Sequence, residues 1–200
     1  MIVRNGSWRR RARASIPGGV ADLLHTDRLV IRDWAEDDAV AALAVYGHPE
    51  VIRWLTPAVQ HVDDGEQMLQ LLRRWIAESR DGEDGLGHWA ITLADSGALI
   101  GGVSLHPLPV GEQDVEIGWQ LAPEYWSHGY GAEAGRGIIE RAFALDIDEV
   151  FALTRPANRR AEAAARRLGM IWVGETDKYY DLRLNVYRLR AADLVPLSPD

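Results

Sequence analysis

One stretch concentrates the residue types that could do chemistry. Glu116 to Glu133, EIGWQLAPEYWSHGYGAE, runs from an alternating apolar segment through a Pro-containing turn into a Gly-rich helix entry. Gly129 and Gly131 let the backbone come close to a ligand. The first-turn N–H groups of the following helix are unpaired and lie at the positive end of its dipole. In outline this is an anion site that could hold a phosphate without side-chain charge. Taken alone, the same glycines could simply make a tight turn and allow close helix packing. In DVEIGWQL the apolar residues Val115, Ile117, Trp119 and Leu121 alternate onto one face, so Glu116 projects from the other and Asp114 points the same way. A carboxylate there could take a proton from a substrate, or it could sit on a solvated or salt-bridged strand face.

Competing chemistries fit less well. Gly129, Gly131 and Ala134 satisfy the dinucleotide pattern G-x-G-x-x-A, but APEYWSH separates the first glycine from its strand, and the next strand, EVFALT, ends in Thr154 instead of an acid. An NTPase phosphate loop needs Gly-Lys-Ser/Thr, and the only lysine is Lys178. With zero Cys there is no disulfide framework, no thiolate metal site and no cysteine nucleophile. The six His residues show no H-x-x-x-H or H-E-x-x-H spacing, so no metal is predicted.

The chain that positions this stretch has 200 residues, 47% hydrophobic and 26% charged, the balance of one folded domain. A net charge of −8 repels nucleic acid and favours cationic partners, an amine among them. Charges interrupt every apolar run, so no membrane span is predicted and the cytoplasm is the expected location. Residues 1–22, with Arg4, Arg9, Arg10, Arg11 and Arg13, read as a disordered basic tail or an over-long start, and 23–200 as one domain. Period and punctuation predict a strand over 28–34, helices over 37–46, 49–55 and 64–79, and strands over 88–93, 99–105 and 115–121. A helix over 129–145, a strand over 149–154, a helix over 158–168 and strands over 170–176 and 184–190 complete the order. This is a mixed α/β sheet of the α+β kind.

Several separated segments resemble the GNAT-type N-acetyltransferases, in the RimJ/RimL-like branch that acetylates protein N-termini. They are TDRLVIRDW (26–34), LIGGVSL (99–105), VEIGWQLAPEYWSHGYGAEA (115–134) and NRRAEAAARRLGM (158–170). The resemblance implies a mostly antiparallel seven-stranded sheet flanked by helices, with the strands over 115–121 and 149–154 splayed around the pantetheine arm of acetyl-CoA. It implies that the backbone of Trp119, Gln120 and Leu121 pairs with the pantetheine amides. The backbone of Ser127, His128, Gly129, Tyr130, Gly131 and Ala132 would hold the pyrophosphate, and Asn158 would reach the arm. Trp54 and Trp75 fall where the family builds its acceptor pocket, although core packing is the ordinary use of a Trp, and Asp114 could help bind a cationic substrate. The chain departs from the pattern at Trp126, which replaces the usual first residue of the pyrophosphate motif. It departs again at Ala161 and Ala165, where relatives place a Ser and a thiolate-protonating Tyr.

Direct transfer needs a neutral amine. An α-amine near pKa 8 is about a tenth neutral at pH 7, whereas a lysine near 10.4 is well under a tenth of a percent neutral. Either must lose a proton as the tetrahedral centre forms, and Glu116 is the candidate base. Among the phenols, Tyr125, Tyr179 and Tyr180, the last is the candidate acid for the CoA thiolate, with solvent as the alternative. The expected activity is acetyl transfer to a protein N-terminus or a small amine. A drug or polyamine acetyltransferase and a non-catalytic acyl-CoA sensor are the competing readings, and both monomer and homodimer stand open.

Overall fold

The computed structural model describes residues 20–57, 59, 61–81, 85–109 and 114–195. The chain forms β1 (Asp22–His25), β2 (Leu29–Asp33), α1 (Ala39–Tyr46), α2 (Pro49–Ile52) and α3 (Gly65–Asp81), then β3 (Gly87–Leu93), β4 (Leu99–Pro107) and β5 (Val115–Leu121). After these come α4 (Tyr130–Ala144), β6 (Glu149–Thr154), α5 (Arg159–Arg167), β7 (Ile171–Thr176) and β8 (Leu184–Arg190). One sheet has the order β1-β2-β3-β4-β5-β6-β8-β7. Every neighbouring pair is antiparallel except β5 and β6.

Eight strands replace the seven expected. The addition is β1, a four-residue edge strand too short to carry a period, which pairs with β2 across a tight turn where Thr26 N–H donates to Leu29 C=O. Pairing reaches Ala21, whose C=O accepts from Asp33 N–H, so the ordered sheet begins ahead of residue 23. The rest of the expected basic tail, 1–19, lies outside the described residues.

Both faces of the sheet are covered. On one, Ile117, Val103 and Leu105 pack with Ile138 and Ile139 of α4 and Leu168 beyond α5. On the other, Ala90 meets Trp34, Tyr46, Met68, Leu72 and Trp75, from β2's end, α1 and α3. Central strands buried on both faces explain why β3 and β4 read as apolar runs with small residues instead of strict alternation. Among the described residues no helix is long and apolar enough to cross a membrane.

Candidate active site

β5 and β6 are paired only at Val115 with Val150 and Glu116 with Phe151. Beyond those residues the two strands part, and a cleft of about 280 Å³ opens between them, closed at one end by the start of α4 and flanked by α5. Backbone groups alternate sides along a strand. Ala122 N–H donates to Ile100 C=O, so the even-numbered residues of β5 turn their peptide groups to β4 and the odd-numbered residues turn theirs to the cleft. Trp119 and Leu121 therefore present backbone to the gap, whereas Gln120 presents its side chain, whose Oε1 lies 3.4 Å from the Tyr46 hydroxyl. The Leu121 C=O is already engaged, since Trp126 Nε1 donates to it at 2.8 Å.

At the far end Ser127 (φ 66°) and Gly129 (φ 85°) adopt left-handed backbone and swing the chain into α4. Gly129 caps the helix with no side-chain hydrogen bond, leaving the first-turn N–H groups without a capping side chain. Gly129, Tyr130, Gly131 and Ala132 line the cleft with Ser127. His128 is outside the lining: its ring stacks on Tyr130 at 5.7 Å, and its C=O accepts from Arg28 Nη1. The β1–β2 turn clamps this corner. Thr26 and Arg28 both hydrogen-bond Glu133 in the first turn of α4, and Arg28 lies over the Tyr130 ring. Burial alone would raise the Glu133 carboxyl; the hydrogen bonds from Thr26 and Arg28 and the Arg28 charge outweigh it and hold the carboxyl below its ordinary range.

Two cations that the sequence did not single out, Arg160 and Arg167, border the cleft from α5. The Arg160 guanidinium packs 3.8 Å above the Trp126 ring. Trp126, read as a departure from the family pattern, thus ties Leu121 and carries a cation on its face. Asn158 lines the cleft while its Oδ1 accepts from Ala161 N–H as the N-cap of α5. Thr154 Oγ1, at the end of β6 and 4% exposed, lines it without a hydrogen-bond partner.

Glu116 faces the cleft at the fork of β5 and β6 and is 4% exposed. Tyr180 Oη donates to its Oε2 at 2.9 Å, from a loop in which Tyr180 (φ 60°) and Asp181 (φ 52°) are consecutive left-handed residues. Such backbone costs non-glycine residues energy and persists where surrounding contacts hold it. Burial, then the Glu116 charge and hydrogen bond, push the Tyr180 phenol well above its ordinary value, so it keeps its proton. His106, which the sequence did not single out, stands opposite Glu116 on β4 with Nε2 3.4 Å from the same oxygen.

The expected acceptor residues separate. Trp54 lines the cleft beside Val51, Leu55 and Thr56. Trp75 is 2% exposed, packed against Trp34 and Tyr46 and stacked on His88 at 4.7 Å, and borders a second hollow between α3 and the 52–61 segment. Asp114 accepts from the Tyr179 hydroxyl at 3.4 Å and is not among the residues lining the cleft.

His88 gives the fold an acid-sensitive point. Burial, then the nearness of His106 and Arg74, push it down to about 3. The unfolded chain takes up this proton near pH 6.5 whereas the folded chain refuses it until about pH 3, so stability falls as pH drops through that window. The slope is at most about 1.4 kcal/mol per pH unit. A His88→Phe variant should therefore lose less Tm than the wild type between pH 6.5 and 4; equal slopes would remove His88 as the cause.

Residues 28–171 match the model of the acetyltransferase (GNAT) domain. The chain belongs to this family and is an acetyltransferase. It is 26% identical over 158 residues, 78% of this chain and 87% of the other, to the uncharacterized N-acetyltransferase YoaA of Bacillus subtilis. Its fold matches that of RimL, a ribosomal L7/L12 alpha-N-protein acetyltransferase, with a TM-score of 0.71 at 17% identity, covering 86% of this chain and 94% of that one. The microcin C7 self-immunity acetyltransferase MccE, solved with acetyl-CoA and AMP, matches with a TM-score of 0.69 at 16% identity over 82% of this chain and 93% of that one.

Proposed function

We propose that the protein transfers the acetyl group of acetyl-CoA to a primary amine, on a protein N-terminus or a small molecule, by direct attack in a ternary complex. The observation that carries this reading is the parting of β5 and β6. It leaves strand-edge groups at Trp119 and Leu121 at one end of a cleft, a helix N-terminus at the other, and a buried carboxylate at the fork. An extended arm bearing amides would add to the β5 edge, with the Leu121 C=O withdrawn from the set by Trp126. The pyrophosphate would lie at Ser127 to Ala132, with Arg160 and Arg167 as nearby cations and Asn158 beside the arm. The site's cationic rim faces the polyanionic end of such a cofactor, which favours acetyl-CoA over a neutral donor.

Chemistry then falls to Glu116 as base. The acceptor ammonium gives it a proton and the amine nitrogen attacks the thioester carbonyl. The nitrogen still carries a surplus proton after attack; as the tetrahedral centre collapses to amide and thiolate that second proton passes to the thiolate, and the proton held by Glu116 returns to solvent. Tyr180, the candidate acid for the thiolate, is not among the residues lining the cleft and would act through its hydrogen bond to Glu116, whose protonation removes the part of the upward push on the phenol that comes from its charge. Trp54 offers an aromatic wall to the acceptor.

Gly129 tests the cofactor half of this reading. A side chain at φ 85° costs about 1–2 kcal/mol in left-handed backbone, although a Cβ there would meet only the Arg28 Nη2 at an ordinary 3.5 Å. In the free Gly129→Ala variant the loop relieves this strain by leaving the left-handed geometry, and acetyl-CoA binding must restore it, so binding should weaken by about 5- to 30-fold in titration calorimetry. An unchanged Kd would detach the loop from the cofactor. Release of CoA thiol in the presence of amines, screened from N-terminal peptides to polyamines, tests the acceptor half; CoA binding with no turnover on any amine would leave an acyl-CoA sensor.

A further inference from the structure

Glu133 stands where a bound anion would be opposed. It is the acidic residue in the first turn of α4, and its N–H donates to the Gly129 C=O, one turn in from the cleft-lining residues Ser127 and Gly129 to Ala132. The Cα–Cβ bonds of a helix tilt toward its N-terminus, so this carboxylate reaches back toward that loop. In the free protein an acid there complements the helix dipole. Beside a pyrophosphate it competes for the same positive end and repels the ligand. Burial alone would raise the carboxyl, but the hydrogen bonds from Thr26 and Arg28 and the Arg28 charge hold it below its ordinary range, so it stays ionised at neutral pH.

Arg28 answers that charge. Its Nε donates to Glu133 Oε2 at 2.7 Å and its Nη2 pairs with the same oxygen, while its backbone N–H and the Thr26 hydroxyl donate to Oε1. Its Nη1 donates to the His128 C=O at 3.1 Å, and the guanidinium lies 4.6 Å over the Tyr130 ring. A Cβ built on Gly129 would meet Nη2 at 3.5 Å, so the cation rests against the loop itself. One side chain from the β1–β2 turn thus grips the chain on both sides of Gly129. With three of its nitrogens committed in this way, the effect of Arg28 on a phosphate runs through Glu133. The other cations at the cleft, Arg160 and Arg167, come from α5, and none of these bonds to Glu133 is theirs.

We infer that Arg28 is the positioning residue that makes the start of α4 an anion site: by cancelling the Glu133 charge it lets the helix N-terminus act on the pyrophosphate of acetyl-CoA. This rests on the reading of the cleft as the acetyl-CoA site, and adds to it the residue pair on which the phosphate affinity depends. Without Arg28 the free helix would keep its favourable acid, and the ligand would meet a carboxylate within about a helical turn of its own charge. At that range, in partly exposed surroundings, one uncompensated charge weakens binding of a pyrophosphate by about tenfold.

The test measures acetyl-CoA binding by the full-length protein in titration calorimetry, at about 0.05 M and about 1 M NaCl. In Arg28→Gln the carboxylate loses its countercharge, and we expect the Kd to rise at least about fivefold over wild type at low salt. At about 1 M salt, where the screening length is about 3 Å, the gap between variant and wild type should close to within about twofold. Arg28→Gln combined with Glu133→Gln removes both charges and should bind within about threefold of wild type at low salt. A merely structural Arg28 would show neither the closure with salt nor the rescue. Glu133→Gln alone keeps the guanidinium, covers the case in which Arg28→Gln does not fold, and should bind within about threefold of wild type or tighter. The inference is overturned if Arg28→Gln falls short of that rise, if its gap survives high salt, if Glu133→Gln does not rescue it, or if Glu133→Gln alone binds more weakly than that. Wild type that does not bind acetyl-CoA would overturn the cofactor reading and the inference with it; wild type that binds beside an unaffected Arg28→Gln overturns the inference alone.

Discussion

Glu116→Gln should lower kcat by about 10²- to 10⁴-fold at pH 7 while acetyl-CoA still stabilises the fold. Glutamine keeps the shape of the side chain and can still accept from Tyr180 Oη, so the cleft, the β5 edge and the pyrophosphate corner stay as they are. What is lost is the group that removes the proton. The pH profile carries a signature that a structural defect would not. An α-amine acceptor deprotonates by itself above about pH 8, so the variant's rate should climb through that region toward wild type, because free amine then arrives without help. A lysine-type acceptor would push the same climb toward pH 10. Undiminished activity at neutral pH would exclude Glu116 as the base.

Gly101→Ala should have the largest effect on stability. A Cβ at this position would lie 2.0 Å from the Gln120 carbonyl oxygen and 2.7 Å from Leu121 Cδ2, and the nearer of these is backbone that no rotamer change can move. Gly101 pairs with Leu121 next to an irregularity in the β3–β4 register. The methyl group must force β4 and β5 apart. Overpacking of a buried site costs about 1–3 kcal/mol, and this contact lies at the upper end. In a protein of this size about 3 kcal/mol corresponds to a Tm loss of roughly 6–12 °C. Because Leu121 and Gln120 line the cleft, the surviving folded fraction should also bind acetyl-CoA more weakly. A Tm within 2 °C of wild type would mean that the β4–β5 pair is looser than its geometry implies.

The parts of this molecule that were legible in the sequence are local along the chain. The alternation of Val115, Ile117, Trp119 and Leu121 put Glu116 on the opposite face, and it is there, buried at the fork. Helices α4 and α5 begin directly after their Gly129 and Asn158 signals, and α5 ends two residues before Gly169. What stayed hidden depends on register between strands distant in sequence. His106 and His88 carry no spacing motif, because their relation to Glu116 exists only once β3, β4 and β5 are laid side by side. The clamp of Arg28 on Glu133 joins residues 105 apart, and the service of Trp126 to Leu121 and Arg160 needs the turn after β5 to be folded. Trp75 shows the limit of composition: an aromatic on the acceptor-side helix reads as a wall of the pocket, yet the stripe Met68, Leu71, Leu72 and Trp75 is core, and the indole sits beneath Trp34 and Tyr46. Of the two expected acceptor residues, Trp54, on the loop past α2, borders the cleft.

The central claim is that the gap between β5 and β6 holds acetyl-CoA, and a thermal-shift titration of the full-length chain tests it most directly. A ligand that binds only the folded state at 100 times its Kd adds about 2.7 kcal/mol, or a Tm rise of roughly 5–11 °C here. The account predicts a saturable rise of that order with acetyl-CoA, a smaller one for Gly129→Ala at the same concentration, and none with NADH. No rise with acetyl-CoA up to millimolar concentration, or an equal rise with NADH, would contradict it.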